Sequence, residues 1–370
     1  MNSINNNLPK CVAILVENNF EDSEFQIPYK ALRQVGISTI VVGSRMNDEY
    51  QGKQGKVAIK PDATATEVRA EDFDAIVIPG GNAPDLIRTN PNAVRLVVDG
   101  MSKDKLIAAI CHGPQVLIEA DGLRERRVTG FRSIRKDIQN AGALYFNQPI
   151  VKDGNLITAR QPSDLPIFTA FLLCCLGRTI EDIPSIEVNP YLDRNSPTVT
   201  DFDWWKFAQN WGGSSRNEII DAINQAIIGE RYTQEAFRQY EQRVLDPELK
   251  LLFQEVINTK QYNLQLLENR LKEFDEQLPW QIVAGETFAV LQSWTQSQDA
   301  WEVVRRALGD LQTGVVDSYH LCVSITDPVT SQIFETVEAN LANHEQCLAE
   351  FYRGRMGSKV KSPTPTTTSY

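Results

Sequence analysis

From residue 9 to about 177 the chain alternates short β-branched runs with stretches whose apolar positions recur at helical spacing. Val12 to Val16, Thr39 to Val42, Ala75 to Ile78 and Leu106 to Ile110 read as buried strands. Between them, Ser23 to Val35, Pro91 to Met101 and Pro114 to Ala120 carry the period of amphipathic helices. Such an alternation predicts a mainly parallel sheet covered on both faces. Asp48 to Lys60, with two glycines among Lys and Gln, reads as a hairpin inserted in that order. Ser163 to Leu176 is a final helix, with Gly177 placed to cap its C-terminus.

The pattern changes over 178–214, where Pro184, Pro190, Pro197, Gly212 and Gly213 interrupt any sustained period. This reads as an inter-domain linker with one ordered piece, Asp201-Phe-Asp-Trp-Trp-Lys-Phe, packed on one of the domains. From Asn217 onward the pattern is helical almost throughout, with four long helices over 216–245, 247–274, 297–326 and 328–353. A connection containing Pro279 and Gly285 lies in the middle. Asp246-Pro247 and Asp327-Pro328 each join a pair, Asp as N-cap and Pro at the first helical position. Aligning the two Asp-Pro steps brings Phe253 against Phe334, the mark of a duplicated helical hairpin. The division expected is an α/β domain over 1–177, the linker, a bundle over 215–356 and a disordered tail over 357–370.

Composition narrows the function. A net charge of −11 argues against a general nucleic-acid binder, which needs a basic face. No apolar run reaches the roughly 18 residues of a membrane span. Met1 to Lys10 is Asn-rich without the apolar core of a secretory signal. Six cysteines without framework spacing fit a reducing cytoplasm. Histidine chemistry is confined to His112, His320 and His344, the last two read as surface or satisfied core residues.

The chemistry concentrates at Leu106-Ile-Ala-Ala-Ile-Cys-His-Gly-Pro-Gln-Val-Leu, a buried strand, a Cys-His-Gly turn and a helix opening with proline. Such a turn holds its side chain in strained geometry at the carboxyl end of the sheet, where open α/β folds bind ligands. A helix N-terminus beside the sulfur is expected to lower the Cys111 pKa from about 8.5 into the range of roughly 3.5–7.5. The adjacent His112 is placed to take the proton or pair with the thiolate. Pro79-Gly-Gly-Asn-Ala-Pro-Asp, one strand earlier, offers the amides of Gly80 and Gly81, with that of His112, as an oxyanion hole.

Phe20-Glu-Asp-Ser-Glu-Phe-Gln-Ile-Pro-Tyr, Ile78-Pro-Gly-Gly-Asn-Ala-Pro-Asp and Ala109-Ile-Cys-His-Gly-Pro-Gln together resemble the ThiJ/PfpI superfamily, closest to its intracellular-protease branch. The resemblance spans about residues 9 to 177 and implies a flavodoxin-like fold related to class I glutamine amidotransferase domains. It implies peptidase, glyoxalase or deglycase, hydratase or stress-linked chaperone roles. By it, Cys111 matches the nucleophile, His112 the histidine that follows, and Glu24 the acid that hydrogen-bonds the cysteine. Glu21 matches a second acid at the pocket mouth. Asp85 stands where PfpI-type proteases have a glutamate that reaches a neighbouring subunit's histidine, which implies at least a dimer. Phe131 stands where they usually carry a tyrosine.

The helical half resembles the ferritin-like four-helix bundle, whose di-iron members use Glu on the first and third helices and Glu-x-x-His on the others. Glu230 and Asp310 take the first- and third-helix positions. The remaining slots read Lys260-Gln-Tyr-Asn263 and Leu341-Ala-Asn-His344, and the lysine repels a cation and is placed to neutralise Glu230. No metal and no cofactor are expected, and a small carbonyl or amide is the expected substrate. The function expected is a cytoplasmic cysteine enzyme, hydrolase-like or glyoxalase-like, forming a homo-oligomer. The alternative is a redox sensor or chaperone-like protein switched at Cys111.

Overall fold

A computed structural model of the chain describes residues 10–178, 191–192, 202–277 and 300–356. The expectations for Pro184, Pro190, Pro197, Asp201, Pro279, Gly285, the first residues and the 357–370 tail lie outside them. The described chain divides into two compact units, parted at Arg216, with Val323–Val329 belonging to the first.

In the first unit the elements run β1 (Cys11–Leu15), α1 (Asp22–Gln34), β2 (Ser38–Gly43), β3 (Tyr50–Gln51), β4 (Ala58–Ile59), β5 (Ala63–Thr64) and β6 (Ala75–Ile78). There follow α2 (Ala83–Ile87), α3 (Pro91–Ser102), β7 (Leu106–Ile110), α4 (Pro114–Glu119), β8 (Arg127–Val128) and α5 (Arg135–Asn140). The unit continues with β9 (Leu144–Tyr145), β10 (Ile150–Asp153), β11 (Leu156–Ala159), α6 (Leu165–Cys175), β12 (Tyr191–Leu192) and α7 (Trp204–Asn210). The main sheet is ordered β12-β10-β11-β7-β6-β1-β2-β5, parallel from β11 to β5, with β10 antiparallel to β11 and the edge strand β12 antiparallel to β10. This is the mainly parallel sheet that the strand–helix alternation predicts, in the flavodoxin-like form that the resemblance implies. Continuous apolar strands such as Ala75–Ile78, buried at every residue, suit a sheet covered on both faces.

β3 and β4 pair antiparallel, so the 48–60 hairpin forms. The antiparallel β10–β11 hairpin escaped the strand reading, although Gly154-Asn155 between its strands is a two-residue turn signal, with Gly154 at φ 57°. The last helix of the alternation begins at Leu165, two residues later than its pattern suggests, after a 3-10 turn over Pro162–Asp164. It ends as expected: Gly177 takes φ 71°, Arg178 N–H donates to Leu173 C=O at 2.9 Å and Gly177 N–H to Cys174 C=O at 3.0 Å. The aromatic piece forms α7, with Trp204 and Trp211 buried and the Trp211 indole N–H donating to the Gln34 side chain at 2.7 Å.

The second unit is all-helical: α8 (Arg216–Arg243), α9 (Pro247–Glu273), α10 (Ala300–Ser324) and α11 (Pro328–Met356). Asp246 caps α9 as its sequence predicts, accepting from Glu248 N–H at 2.9 Å and Leu249 N–H at 3.2 Å. Phe253 and Phe334, matched by the duplication, are both fully buried. No helix among the described residues is long and apolar enough to cross a membrane.

Candidate active site

Register brings the site together. Ile78 on β6 lies opposite Ala109 on β7, so the chains leaving the two strands carry Gly80 and Cys111 side by side at the carboxyl ends of the sheet. The segment after β1 joins them: Phe20 bridges Gly81, and Glu21 N–H donates to Gly80 C=O at 3.3 Å. α1 then starts with Glu21 as N-cap and sets Glu24 in its first turn, fully buried.

Cys111 takes φ 59°, in the left-handed region that a side chain enters only at a cost of about 1–3 kcal/mol. Its backbone is held on both sides: Cys111 N–H donates to Ala159 C=O at 3.1 Å, and Phe131 N–H donates to Cys111 C=O at 2.8 Å. The residue is only 6% exposed. Sγ lies 3.2 Å from His112 Nδ1, and His112 Nε2 lies 3.1 Å from Ser133 Oγ. The Phe131 ring stands 5.0 Å from the imidazole.

Glu24 accepts the Gly80 N–H at 2.6 Å through Oε2, while its Oε1 is buried beside the Cys111 side chain with no hydrogen-bond partner among the described residues. Burial first, then the Glu21 charge, push its pKa up to about 8. Burial, and after it the Glu24 carboxylate, push the Cys111 thiol well above its ordinary value, while a Gly81 N–H bond pulls it back. The expectation of a lowered thiol is therefore corrected. The sulfur is buried beside a carboxyl, and α4 runs only from Pro114 to Glu119, too short to carry much dipole. An ionised Glu24 opposes a thiolate beside it, and a protonated Glu24 removes that repulsion.

Gly80 is a second correction. Its amide is committed to Glu24, so it gives nothing to an oxyanion. The Gly81 amide faces the sulfur, and the His112 amide has no acceptor among the described residues. His112 is half-buried, and burial followed by the Lys53 charge holds its pKa below that of an ordinary imidazole. Glu21 is buried and accepts from the Gln54 side-chain amide at 2.6 Å. Asp85 is exposed on α2, and a surface groove places it with Arg88, Arg95 and Glu119. Within this chain the ring partners of His112 are Cys111 and Ser133.

Two neighbours escaped the sequence reading. Asp22 is buried and accepts the Gln54, Lys56 and Val57 amides at 2.7, 2.9 and 2.8 Å, which pins the β3–β4 hairpin over the start of α1. Ser133 sits in a 3-10 turn, Arg132–Ile134, with nothing in its local sequence to mark it.

A buried acid raised this far gives a pH dependence with a definite sign. Between pH 4.5 and about 8 the folded chain holds a proton on Glu24 that the unfolded chain has lost. Its contribution is full below 4.5 and disappears as pH rises through 8. Glu24→Gln should flatten this part of the stability profile, by a few kcal/mol between about pH 5 and pH 8. Denaturant unfolding at those two pH values measures it, and parallel profiles for the two proteins would refute the assignment.

In the second unit three of the residues at di-metal positions are occupied with one another, and the other two with neighbouring hydroxyls. Glu230 accepts from Lys260 Nζ at 2.8 Å and from Asn263 Nδ2 at 2.9 Å, all three buried. Asp310 accepts from the Tyr240 hydroxyl at 2.8 Å, and His344 Nε2 lies 2.8 Å from Thr259 Oγ1. No three Asp, Glu, His or Cys side chains converge among the described residues, so this donor set does not fit a di-iron centre.

Residues 10–173 match the DJ-1/PfpI family. A crystal structure of a two-domain protein with DJ-1/ThiJ/PfpI-like and ferritin-like domains, from Anabaena variabilis, is 44% identical and superposes with a TM-score of 0.83. The match covers 98% of this chain and 100% of that one. Protein/nucleic acid deglycase 2 of Escherichia coli is 38% identical over 171 residues, 46% of this chain and 99% of the relative. General stress protein 18 of Bacillus subtilis is 39% identical over 170 residues, again 46% and 99%. With its Cys111 turn, its buried Glu24 and this coverage, the chain belongs to the DJ-1/PfpI family, in the two-domain form that adds a ferritin-like bundle.

Proposed function

We propose that the α/β unit is a thiol-dependent enzyme acting on small electrophilic carbonyl compounds, of the glyoxalase or deglycase kind. The observation that carries this is the placement of Sγ, 6% exposed as a residue, 3.2 Å from His112 Nδ1 and beside the buried Glu24 carboxyl. A sulfur so enclosed suits a compact aldehyde better than a polypeptide strand. The relative named as a deglycase, similar along its whole length, supports the same class.

In the step proposed, the thiol proton passes to His112 Nδ1 and the sulfur electron pair attacks the carbonyl carbon. A C–S bond forms, the C=O π pair moves to oxygen, and the Gly81 and His112 amides meet that charge. The proton on Nδ1 then returns to the oxygen, which gives a hemithioacetal. Glu24, carrying its own proton, supports sulfur in its anionic form.

The test is a panel of methylglyoxal, a glycated amine and a peptide amide, with wild type against Cys111→Ala. Turnover of the first two by wild type and its loss in the variant is the expected result. Turnover that survives in Cys111→Ala, or that is confined to the peptide amide, would overturn the proposal.

A further inference from the structure

Each nitrogen of the His112 ring has a partner within this chain: Nδ1 lies 3.2 Å from Cys111 Sγ, and Nε2 lies 3.1 Å from Ser133 Oγ. We propose that Ser133 is the positioning residue for the Cys111–His112 pair, so that thiol, imidazole and orienting hydroxyl all come from one chain. This rests on Cys111 being a reactive thiol and not on the identity of its substrate.

The hydroxyl is where it is for reasons of backbone. Phe131 N–H binds the carbonyl of Cys111 itself at 2.8 Å, and Ile134 N–H donates back to Phe131 C=O at 3.1 Å. The 3-10 turn that carries Ser133 is thereby tied to the nucleophile's own peptide. The Phe131 ring, 5.0 Å from the imidazole, leans on the same residue. A histidine beside an elbow cysteine has a free χ2, and a partner at Nε2 removes that freedom.

The hydroxyl also fits both protonation states. With the thiol intact, Sγ–H donates to Nδ1 while Nε2–H donates to Ser133 Oγ. When the proton moves, the S–H bond breaks with its electron pair left on sulfur, and an Nδ1–H bond forms. The imidazolium then donates through Nδ1–H to sulfur and still through Nε2–H to Oγ. Nothing has to turn. The other charged groups about the pair are Glu24 and Glu21 from the start of α1 and Lys53 from the β3–β4 hairpin, and these act through space. Being neutral, a hydroxyl orients the ring without adding a further carboxylate to them.

The test uses the full chain and a readout that needs no substrate: the rate of Cys111 alkylation by iodoacetamide against pH, followed by mass spectrometry of the Cys111 peptide. Ser133→Ala should slow alkylation near neutral pH about tenfold, the worth of one hydrogen bond to a charged group, and move the midpoint upward. Ser133→Thr, which restores the hydroxyl, should return to within about twofold of wild type. A Ser133→Ala profile that superimposes on wild type would overturn the proposal. So would an equal loss in Ser133→Thr, which would mark packing, or a loss in Asp85→Asn with Ser133→Ala silent, which would place the orienting group on another copy. If the carbonyl panel fails while this pattern holds, the enzyme reading falls and the positioning role stands.

Discussion

Lys260→Met should destabilise the helical unit by about 3–5 kcal/mol, although the substitution puts a good helix former of similar length on α9. Lys260 Nζ is bonded to Glu230 Oε1 at 2.8 Å, and their side chains are 1% and 5% exposed. Removing the ammonium leaves a buried carboxylate with Asn263 as its remaining donor, the circumstance in which one partner of an ion pair is costliest to lose. The strain reaches further along the network, because Asn263 in turn accepts from Asn340 of α11 at 2.8 Å. A second substitution separates charge from shape. Lys260→Met combined with Glu230→Gln buries no charge and keeps an acceptor for Asn263, so it should recover most of the loss. Two units need not unfold together, so hydrogen exchange of α8 and α9 amides in denaturant is the appropriate measurement. A single variant as stable as wild type, or a double variant no better than the single, would show that the pair contributes little.

That network also shows what the sequence could and could not say. Glu230, the two Asp-Pro steps and a lysine in place of a ligand were legible, because helical spacing converts positions into faces. The closure of the lysine onto the glutamate 30 residues away is consistent with that spacing. In the α/β unit, the alternation of strands and helices and the Cys111 turn were legible because apolar runs and a Cys-His-Gly break leave a local mark. The misreadings share a cause. Whether a thiol is raised or lowered depends on burial and on a carboxyl 87 positions earlier, 111 against 24, and neither is a local property. The Gly80 amide looked free because its acceptor is brought by another element, at a sequence separation of 56. Asp22 and Ser133 went unnoticed because hairpin docking and a 3-10 turn decide their partners.

Gly80→Ala should all but abolish Cys111 reactivity, by at least about a hundredfold, though Gly80 is not one of the chain's left-handed glycines. A methyl group built on Gly80 would lie 2.6 Å from Glu24 Oε2, 2.8 Å from the Cys111 Cβ and 2.8 Å from the His112 amide nitrogen. No partner in that set can move independently. Glu24 is fully buried and bonded to the Gly80 amide, the Cys111 peptide is held at both its N–H and its C=O, and the His112 amide belongs to the same turn. The methyl must therefore part the carboxyl from the sulfur, and a displacement near 1 Å at a reacting centre is worth about a hundredfold. Gly36→Ala is the contrasting case. It has φ 75° with no atom within 4 Å of the added carbon, so it should cost stability through backbone strain and leave the thiol untouched. Alkylation of Cys111 in the two variants, with unfolding midpoints measured alongside, distinguishes crowding at the site from general destabilisation. Equal alkylation rates in Gly80→Ala and wild type would mean that the Glu24–Cys111 contact does not govern the sulfur.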